Sequence, residues 1–390
     1  MRILFSSWPA YGHLLPMLPL ARAAVRAGHD VLISSGADIS GLIERRGFRA
    51  HQAGPTLQEA YAAAGAAMAE LGGLSEMQAM TPTDQLTNAA RHFFGAAAVT
   101  RAGDLGPLLA DWRPGLIVHD NMELGAPAGA EIAGIPHVTH SYGPIVPGTE
   151  FFAELAGQTL ATGGLPDPIE SIMAGPYLDI CPPSLQPTGD SAPWTQPFAL
   201  APSAGEVDKA DELPVGFTDL PHPETIYLTL GTIMNQQPEV FRAVLQGCTR
   251  LEVNVLTTVG PGVDPADLGP QPAGVLITDY VSQALVLPHC TAVASHVGAG
   301  TMLGALCFGL PQLALPQGTD QPHNSVALVA TGSAVALQPD EITADAVAAS
   351  LDRVLRDPAI RAAAEGIRTE IGAMPPADAV LDQVLSTIAG

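Results

Sequence analysis

The chain has 390 residues, enough for two domains with a buried core in each. Its 39 acidic and 16 basic side chains leave a formal charge of −23, which argues against a nucleic-acid partner, because phosphates call for Lys and Arg. Cys181, Cys248, Cys290 and Cys307 lie far apart and form no CxxC, so neither a zinc site nor a disulfide framework is expected; they read as buried thiols in a reducing cytosol. Arg2 to Ser7 is a short β-type apolar run. Pro9, His13, Pro16 and Pro19 then interrupt the apolar start before a signal-peptide core develops, so export is not expected.

A helical pattern from Leu14 to Ala27 and a strand from Val31 to Ser35 complete a strand–helix–strand unit, the signature of a parallel sheet. Pro55 to Met80 is rich in Ala, Gly and Met and reads as a mobile stretch beside the sheet, and a long helix is predicted from Thr83 to Asp111. The alternation returns with a strand at Leu116–His119, a helix over Ala126–Ala133 and a strand near His137–Ser141. Between Pro182 and Pro223, Pro, Gly, Ser and Asp dominate and periodicity is lost, which marks the connection between domains. A second alternation follows, with strands at Thr225–Leu230, Val253–Val259, Val275–Thr278, Thr291–Ser295 and Gln312–Leu315. Helices are predicted at Pro238–Arg250, from Ser282, and at Thr301–Phe308, and the chain is helical from Thr343 onward. The fold class is therefore α/β, with two doubly wound parallel-sheet domains: residues 1–205, a linker at 206–222, and residues 223–375. Facing halves of this kind enclose a cleft, and ligands bind at the carboxyl ends of parallel strands. Val297 to Leu315 is uncharged over 19 residues, but Gly298, Gly300, Gly304, Gly309 and Pro311 divide it into turn, short helix and strand, as in a buried α/β unit rather than a membrane span.

His13 follows the first strand within Tyr11-Gly12-His13-Leu14-Leu15-Pro16, where it can face the cleft as a general base or serve as a capping or core histidine. Asp120 ends the strand expected beside it and could orient and stabilise the His13 imidazolium. Alternatively it caps the helix at Ala126, with Asn121 or Glu123 as the partner of His13. In the second half, Gly231-Thr232 ends a strand with small and hydroxylic residues, a turn suited to a phosphate oxygen but also common turn chemistry. His296, Gly298, Gly300 and Thr301 present an imidazole and bare backbone N–H groups at a helix start, an anion site or a packing turn. Between Pro223 and Asp352 the only fixed cations are Arg242 and Arg250, so helix termini must carry any phosphate there. Asp320 and Gln321 follow the next strand at a loop, where they could bind vicinal hydroxyls or be surface polar residues. No Asp-x-Asp is present, which disfavours a metal-dependent reaction on a sugar nucleotide, and no histidines show ligand spacing.

Taken in order, GHLLP near the start, GHDV at 28–31, HD at 119–120, ICPPSLQP at 180–187, LTLGT at 228–232, YVSQALVLPHC at 280–290 and HVGAGT through DQPHN at 296–324 resemble the family 1 GT-B glycosyltransferases. The likeness runs over nearly the whole chain and is to the bacterial branch that decorates polyketide, enediyne and other antibiotic natural products. It implies two facing Rossmann-like domains, with a last helix (about 376–390) that crosses back to the N-terminal domain. Carried over by motif, His13 looks like the general base and Asp120 its partner. Val281 and Gln283 look like nucleobase contacts, Thr232, His296, Gly298, Gly300 and Thr301 like the diphosphate site, and Asp320 and Gln321 like the donor-sugar pair. Where many relatives read His-Gly-Gly, this chain has His296-Val297-Gly298.

The resemblance implies a cytoplasmic, inverting, metal-independent hexosyltransferase that needs no cofactor. It would move a (deoxy)hexose from a dTDP- or UDP-sugar to a hydroxyl of a hydrophobic aglycone, with neither nucleic acid nor stable membrane insertion; a homodimer stays open. Trp8, Tyr11, Phe93 and Tyr142 suggest a flat apolar acceptor surface, although a plain core would use the same residues. A sugar-nucleotide 2-epimerase and a non-catalytic nucleotide-sugar-binding helper are the alternatives.

Overall fold

Strands covered on both faces read as near-continuous apolar runs, and the two alternations seen in the sequence do form two all-parallel sheets. The computed structural model describes residues 1–70, 87–146, 149–186, 196–207, 211–232, 235 and 237–389. It divides into two compact units, Met1–Ile180 with Thr188–Leu200 and Pro375–Gly390, and Cys181–Pro187 with Ala201–Met374.

In unit 1, strands β1 (Arg2–Ser6), β2 (Asp30–Ser35), β3 (Arg49–Gln52), β4 (Leu116–Asp120), β5 (His137–His140), β6 (Pro176–Asp179) and β7 (Gln196–Ala199) form a sheet of order β3-β2-β1-β4-β5-β6-β7. Strand order reverses between β1 and β4, which pair in parallel with Ser6 opposite His119. The helix read from Leu14 is split. An α-turn at Tyr11–Leu14 and a 3₁₀ turn at Leu15–Met17 around Pro16 precede the helix Leu18–Arg26. The long second helix has a π-helical stretch, Ala89–Gly95, that runs into Ala96–Trp112. One core cluster joins Leu4, Leu32 and Ile117 of the sheet to Leu105, Leu109, Ala126 and Ala130 of the covering helices. The last helix, Ala377–Ala389, buries Val380, Leu381 and Val384 and packs on Leu18–Arg26, where Asp378 pairs with Arg26 at 2.8 Å.

The stretch expected to be mobile from Pro55 is a helix over Leu57–Glu70, and residues 71–80 lie outside the described ones, as do 83–86 of the predicted long helix. Ala60, Ala62, Ala63, Ala64, Ala66 and Ala67 are sufficient reason, since alanine costs least in a helix.

In unit 2, β8 (Thr225–Thr229), β9 (Asn254–Thr258), β10 (Val275–Thr278), β11 (Ala292–Ser295), β12 (Gln312–Ala314) and β13 (Ala334–Ala336) repeat the pattern as β10-β9-β8-β11-β12-β13. Ile226, Leu228, Val255, Ala292 and Leu313 meet Phe241, Val244, Val347 and Leu351 of the flanking helices in its core. Residues 206–222, read as a linker, belong to this unit: Phe217 is buried against Tyr227 and Val286 with Leu213 and Leu220 packed beside it, and Ser282 Oγ donates to the Glu206 carbonyl at 3.2 Å. Their lack of periodicity reflects a covering segment held by a few anchors. The four cysteines are free thiols; burial raises Cys248 and Cys290 to about 12 and Cys307 to about 11. No helix among the described residues is long and apolar enough to cross a membrane.

Candidate active site

Open parallel sheets bind ligands where strand order reverses, because the loops diverge there. In unit 1 the turn after β1 and the carboxyl end of β4 bring His13 and Asp120 together, with His13 Nδ1 and Asp120 Oδ2 2.8 Å apart. Asp120 is 1% exposed and His13 17%, so the carboxylate lies beneath the imidazole and the ring reaches solvent. The Trp8 backbone N–H donates to the same Oδ2 at 3.2 Å, and the Met122 N–H donates to Oδ1 at 3.1 Å. Burial works to raise the Asp120 pKa, but His13 and these two N–H groups outweigh it, and the net shift is downward. A buried carboxylate held ionised fixes the ring with Nδ1–H toward Asp120 and leaves proton acceptance to Nε2.

Of the rival partners for His13, Glu123 is committed to other contacts. Glu123, not Asp120, serves the helix Gly125–Ala133, accepting from Gly125 N–H at 2.7 Å and Ala126 N–H at 3.0 Å, while buried Arg101 lies 3.6 Å from its carboxylate. Asn121 is held through its backbone, its N–H donating to the His140 carbonyl at 3.0 Å.

The expected acceptor residues separate. Tyr142 stacks on His13 with centroids 4.4 Å apart, and Tyr11 is half-buried in the same turn as His13. Phe93 is half-buried and stacks on half-exposed Tyr61 at 4.8 Å. Trp8 departs from the expectation: its indole is 4% exposed, packed on Phe93 and Phe94 with Ala10, Ala60 and Ala97 around it. A side chain enclosed by core neighbours presents no face to a substrate, and the backbone N–H of Trp8 is what reaches the site.

Unit 2 repeats the construction at its own reversal, between β8 and β11, where Thr229 pairs with Ser295 and the His296 N–H donates to the Thr229 carbonyl at 3.3 Å. The His296 imidazole lies between two glycines: a Cβ on Gly231 or on Gly298 would collide with its Nε2. Burial lowers the His296 pKa to about 4, so the ring is neutral at physiological pH. Thr232 is half-buried one residue beyond Gly231. The helix Ala299–Cys307 starts two residues earlier than predicted, with Gly298 at its N-cap and no side chain capping it. A Cβ on Gly300 would meet open space, so packing does not demand glycine there.

Val281 is buried, while its neighbour Tyr280 is 51% exposed. Gln283 Nε2 donates to Thr301 Oγ1 at 2.9 Å, which links the expected nucleobase and diphosphate positions directly. Asp320 is half-buried. Gln321 is 4% exposed, and its Oε1 accepts from the Gln317 and Gly318 N–H groups at 2.8 and 3.2 Å, so its amide holds the preceding loop. The cations are engaged elsewhere, Arg242 donating to the Asp267 carbonyl and Arg250 pairing with Asp345. Among the described residues no group of three or more His, Cys, Asp or Glu side chains could hold a metal ion.

Sequence reasoning overlooked Asn324. It is 1% exposed, and its Nδ2 donates to the Val297 carbonyl at 3.0 Å and to Asp320 Oδ2 at 2.7 Å. Its place four residues after Asp320, on the same face once a helix begins, was the available signal.

Comparison with known proteins identifies the family and the fold. Residues 22–198 match the model of the erythromycin biosynthesis protein CIII-like N-terminal domain, and residues 242–386 that of its C-terminal domain. The L-demethylnoviosyl transferase of Streptomyces niveus is 31% identical over 408 residues, covering 97% of this chain and 100% of that one. The elloramycin glycosyltransferase ElmGT of Streptomyces olivaceus is 30% identical over 404 residues, covering 97% and 95%. Among solved structures, the glycosyltransferase VinC in complex with dTDP superposes with a TM-score of 0.79 at 22% identity, each chain fully covered. The spinosyn rhamnosyltransferase SpnG complexed with thymidine diphosphate gives 0.80 at 24% identity, covering 98% of this chain and 100% of that one. With two switch-point sites in parallel-sheet units and full-length relatives at this identity, the chain belongs to the bacterial natural-product branch of the family 1 GT-B glycosyltransferases.

Proposed function

We propose that this glycosyltransferase inverts the anomeric centre of a dTDP- or UDP-linked (deoxy)hexose, transferring it to a hydroxyl of a hydrophobic natural-product aglycone without a metal ion. His13 Nε2 takes the acceptor proton, the acceptor oxygen bonds to the anomeric carbon, and the bond to the diphosphate breaks with its electrons on the leaving oxygen. The observation that carries this reading is the 2.8 Å His13–Asp120 contact, a base with its proton acceptor fixed by a buried carboxylate. Tyr142, Tyr11 and Phe93 supply the acceptor side.

On the donor side the leaving group would be held by the first-turn N–H groups of the helix Ala299–Cys307, by Thr232 and Thr301, and by the neutral His296, with Gly298 and Gly300 admitting close approach. Val281, through its backbone, and Gln283 would face the nucleobase. Asp320 would take the sugar hydroxyls, with Gln321 joining it where its amide leaves the loop. The dTDP bound in two structures of similar fold favours a dTDP-sugar, and a cytoplasmic location fits such a co-substrate.

Mass spectrometry of incubations with a panel of dTDP- and UDP-sugars and polyketide aglycones tests the reading. A mass gain of one hexosyl or deoxyhexosyl residue on an aglycone is expected, and incubation of donor alone should leave its sugar unepimerised. Conversion of the donor to its 2-epimer without an acceptor would replace the transferase with the epimerase. A site built from neutral donors makes a further prediction: donor affinity survives EDTA and changes less than about threefold between about 50 and 200 mM salt. An obligate divalent ion in that titration would reject the metal-free site.

A further inference from the structure

The turn between β11 and the helix Ala299–Cys307 is built on Val297 at φ 54°. This is the left-handed region, which a β-branched side chain avoids and adopts only where its surroundings hold it there. Val297 is fully buried, so its side chain cannot relax toward solvent. Its peptide groups are tied on both sides: its N–H donates to Ser295 Oγ at 3.1 Å, and its carbonyl accepts from Asn324 Nδ2 at 3.0 Å. The second hydrogen of that Nδ2 is spent on Asp320 Oδ2 at 2.7 Å. Since both partners are oxygens that can only accept, the amide has one workable orientation.

We infer that Asn324 is a positioning residue, a clamp that holds the strained Val297 turn in its left-handed form and fixes the Asp320 carboxylate relative to it. The inference rests on the proposed roles of that turn at the diphosphate and of Asp320 at the sugar, and it adds a residue to which no role had been given. The 297–298 peptide precedes the first free N–H groups of the helix, so a turn that relaxes to negative φ re-aims those groups. The clamp therefore acts on donor binding through the backbone, without touching the donor. A glycine at 297 would hold the same φ unaided, and in such a chain the clamp is dispensable for the turn.

A mutant cycle tests this with dTDP as the probe, read by titration calorimetry on the full chain. Asn324→Ala is expected to weaken dTDP binding about tenfold, equivalent to about 1.4 kcal/mol. Val297→Gly alone should bind within about twofold of wild type, and Val297→Gly/Asn324→Ala should recover to within about threefold, because glycine removes the need for restraint. Wild-type affinity in Asn324→Ala, or a double variant as weak as Asn324→Ala, overturns the inference. Amide hydrogen exchange over residues 297–301 provides a readout independent of ligand: exchange should quicken in Asn324→Ala and slow again in the double variant, and unchanged exchange rejects the clamp. Should Asn324→Ala not fold, Asn324→Ser takes its place in the same cycle under the same criteria. If wild-type protein binds neither dTDP nor UDP, the nucleotide-sugar reading fails, while the exchange comparison still decides the clamp.

Discussion

His13→Ala is expected to abolish glycosyl transfer while leaving dTDP binding within about twofold of wild type. A positioned general base contributes about 10²–10⁴ in rate, and His13 is the titratable ring that Asp120 holds at 2.8 Å. Donor affinity is spared because the proposed diphosphate and nucleobase contacts belong to the other unit. Asp120→Asn keeps the size of the side chain but removes the charge that stabilises an imidazolium and replaces one of the two oxygens that accept from the Trp8 and Met122 N–H groups with a donor, so the rate should fall by about 10²-fold or more. If Asp120 acts through His13, as proposed, the double variant should be no slower than His13→Ala alone. Single-turnover transfer to an O-acceptor, with dTDP affinity measured in parallel, gives each quantity. Full turnover by His13→Ala, or additive losses in the double variant, would remove the base assignment.

That this pair could be read from sequence is a consequence of topology. β1 and β4 are central strands, buried on both faces, and the apolar runs ILF and LIV reveal them; once they are neighbours, residues at their carboxyl ends must meet. Edge strands carry no such signal. β3 (Arg49–Gln52) is Arg-Ala-His-Gln with only partial burial, and β7 and the three-residue β13 are also edges of their sheets, so none was predicted. β10 is an edge too, but Val-Leu-Ile-Thr gave it away. The helix Gln321–Ala330 was missed because Asp-Gln-Pro read as loop, although an acidic N-cap with proline just inside is a helix start. In the turn after β11 the sequence singled out Val297, where many members of the resembled family read glycine. What could not be read was the remedy, because the Asn324 bond to the Val297 carbonyl depends on a left-handed φ and on a helix that had been taken for a loop. Trp8 failed in the opposite sense: an aromatic after a strand looked like a binding surface, and only its burial among Phe93, Phe94 and Ala97 shows that it belongs to the core.

Acid should destabilise unit 1 well before its carboxylates titrate. His119 is lowered to about 3 by burial, with the neighbouring His137 adding to the shift, and burial lowers His137 and His140 to about 4. All three are neutral in the fold, with roles set by neutral partners: His119 contacts Thr139 Oγ1 at 3.2 Å, His137 contacts Ser171 Oγ at 3.1 Å, and His140 Nδ1 meets the Ser141 carbonyl at 2.6 Å. In the unfolded chain each binds a proton near pH 6.5, so below that pH the unfolded state holds more protons and stability falls with pH. The stability these neutral rings contribute is complete above about pH 6.5 and is lost progressively as pH falls, down to about pH 4 for His137 and His140 and about pH 3 for His119, each histidine withdrawing about 1.4 kcal/mol per pH unit. Glu123 works against this, because burial outweighs Arg101 and raises its pKa, but it is one group against three. Unit 2 has a single such residue, His296, and should be less acid-sensitive. Urea unfolding followed by tryptophan fluorescence reads unit 1 through Trp8 and Trp112, and its midpoint should drop steeply between pH 7 and 5. His140→Gln, which cannot charge, should flatten that slope by about one histidine's share. A midpoint that does not move between pH 7 and 5 would mean that these rings ionise in the fold as they do in water, and the neutral network linking β4 and β5 would have to be abandoned.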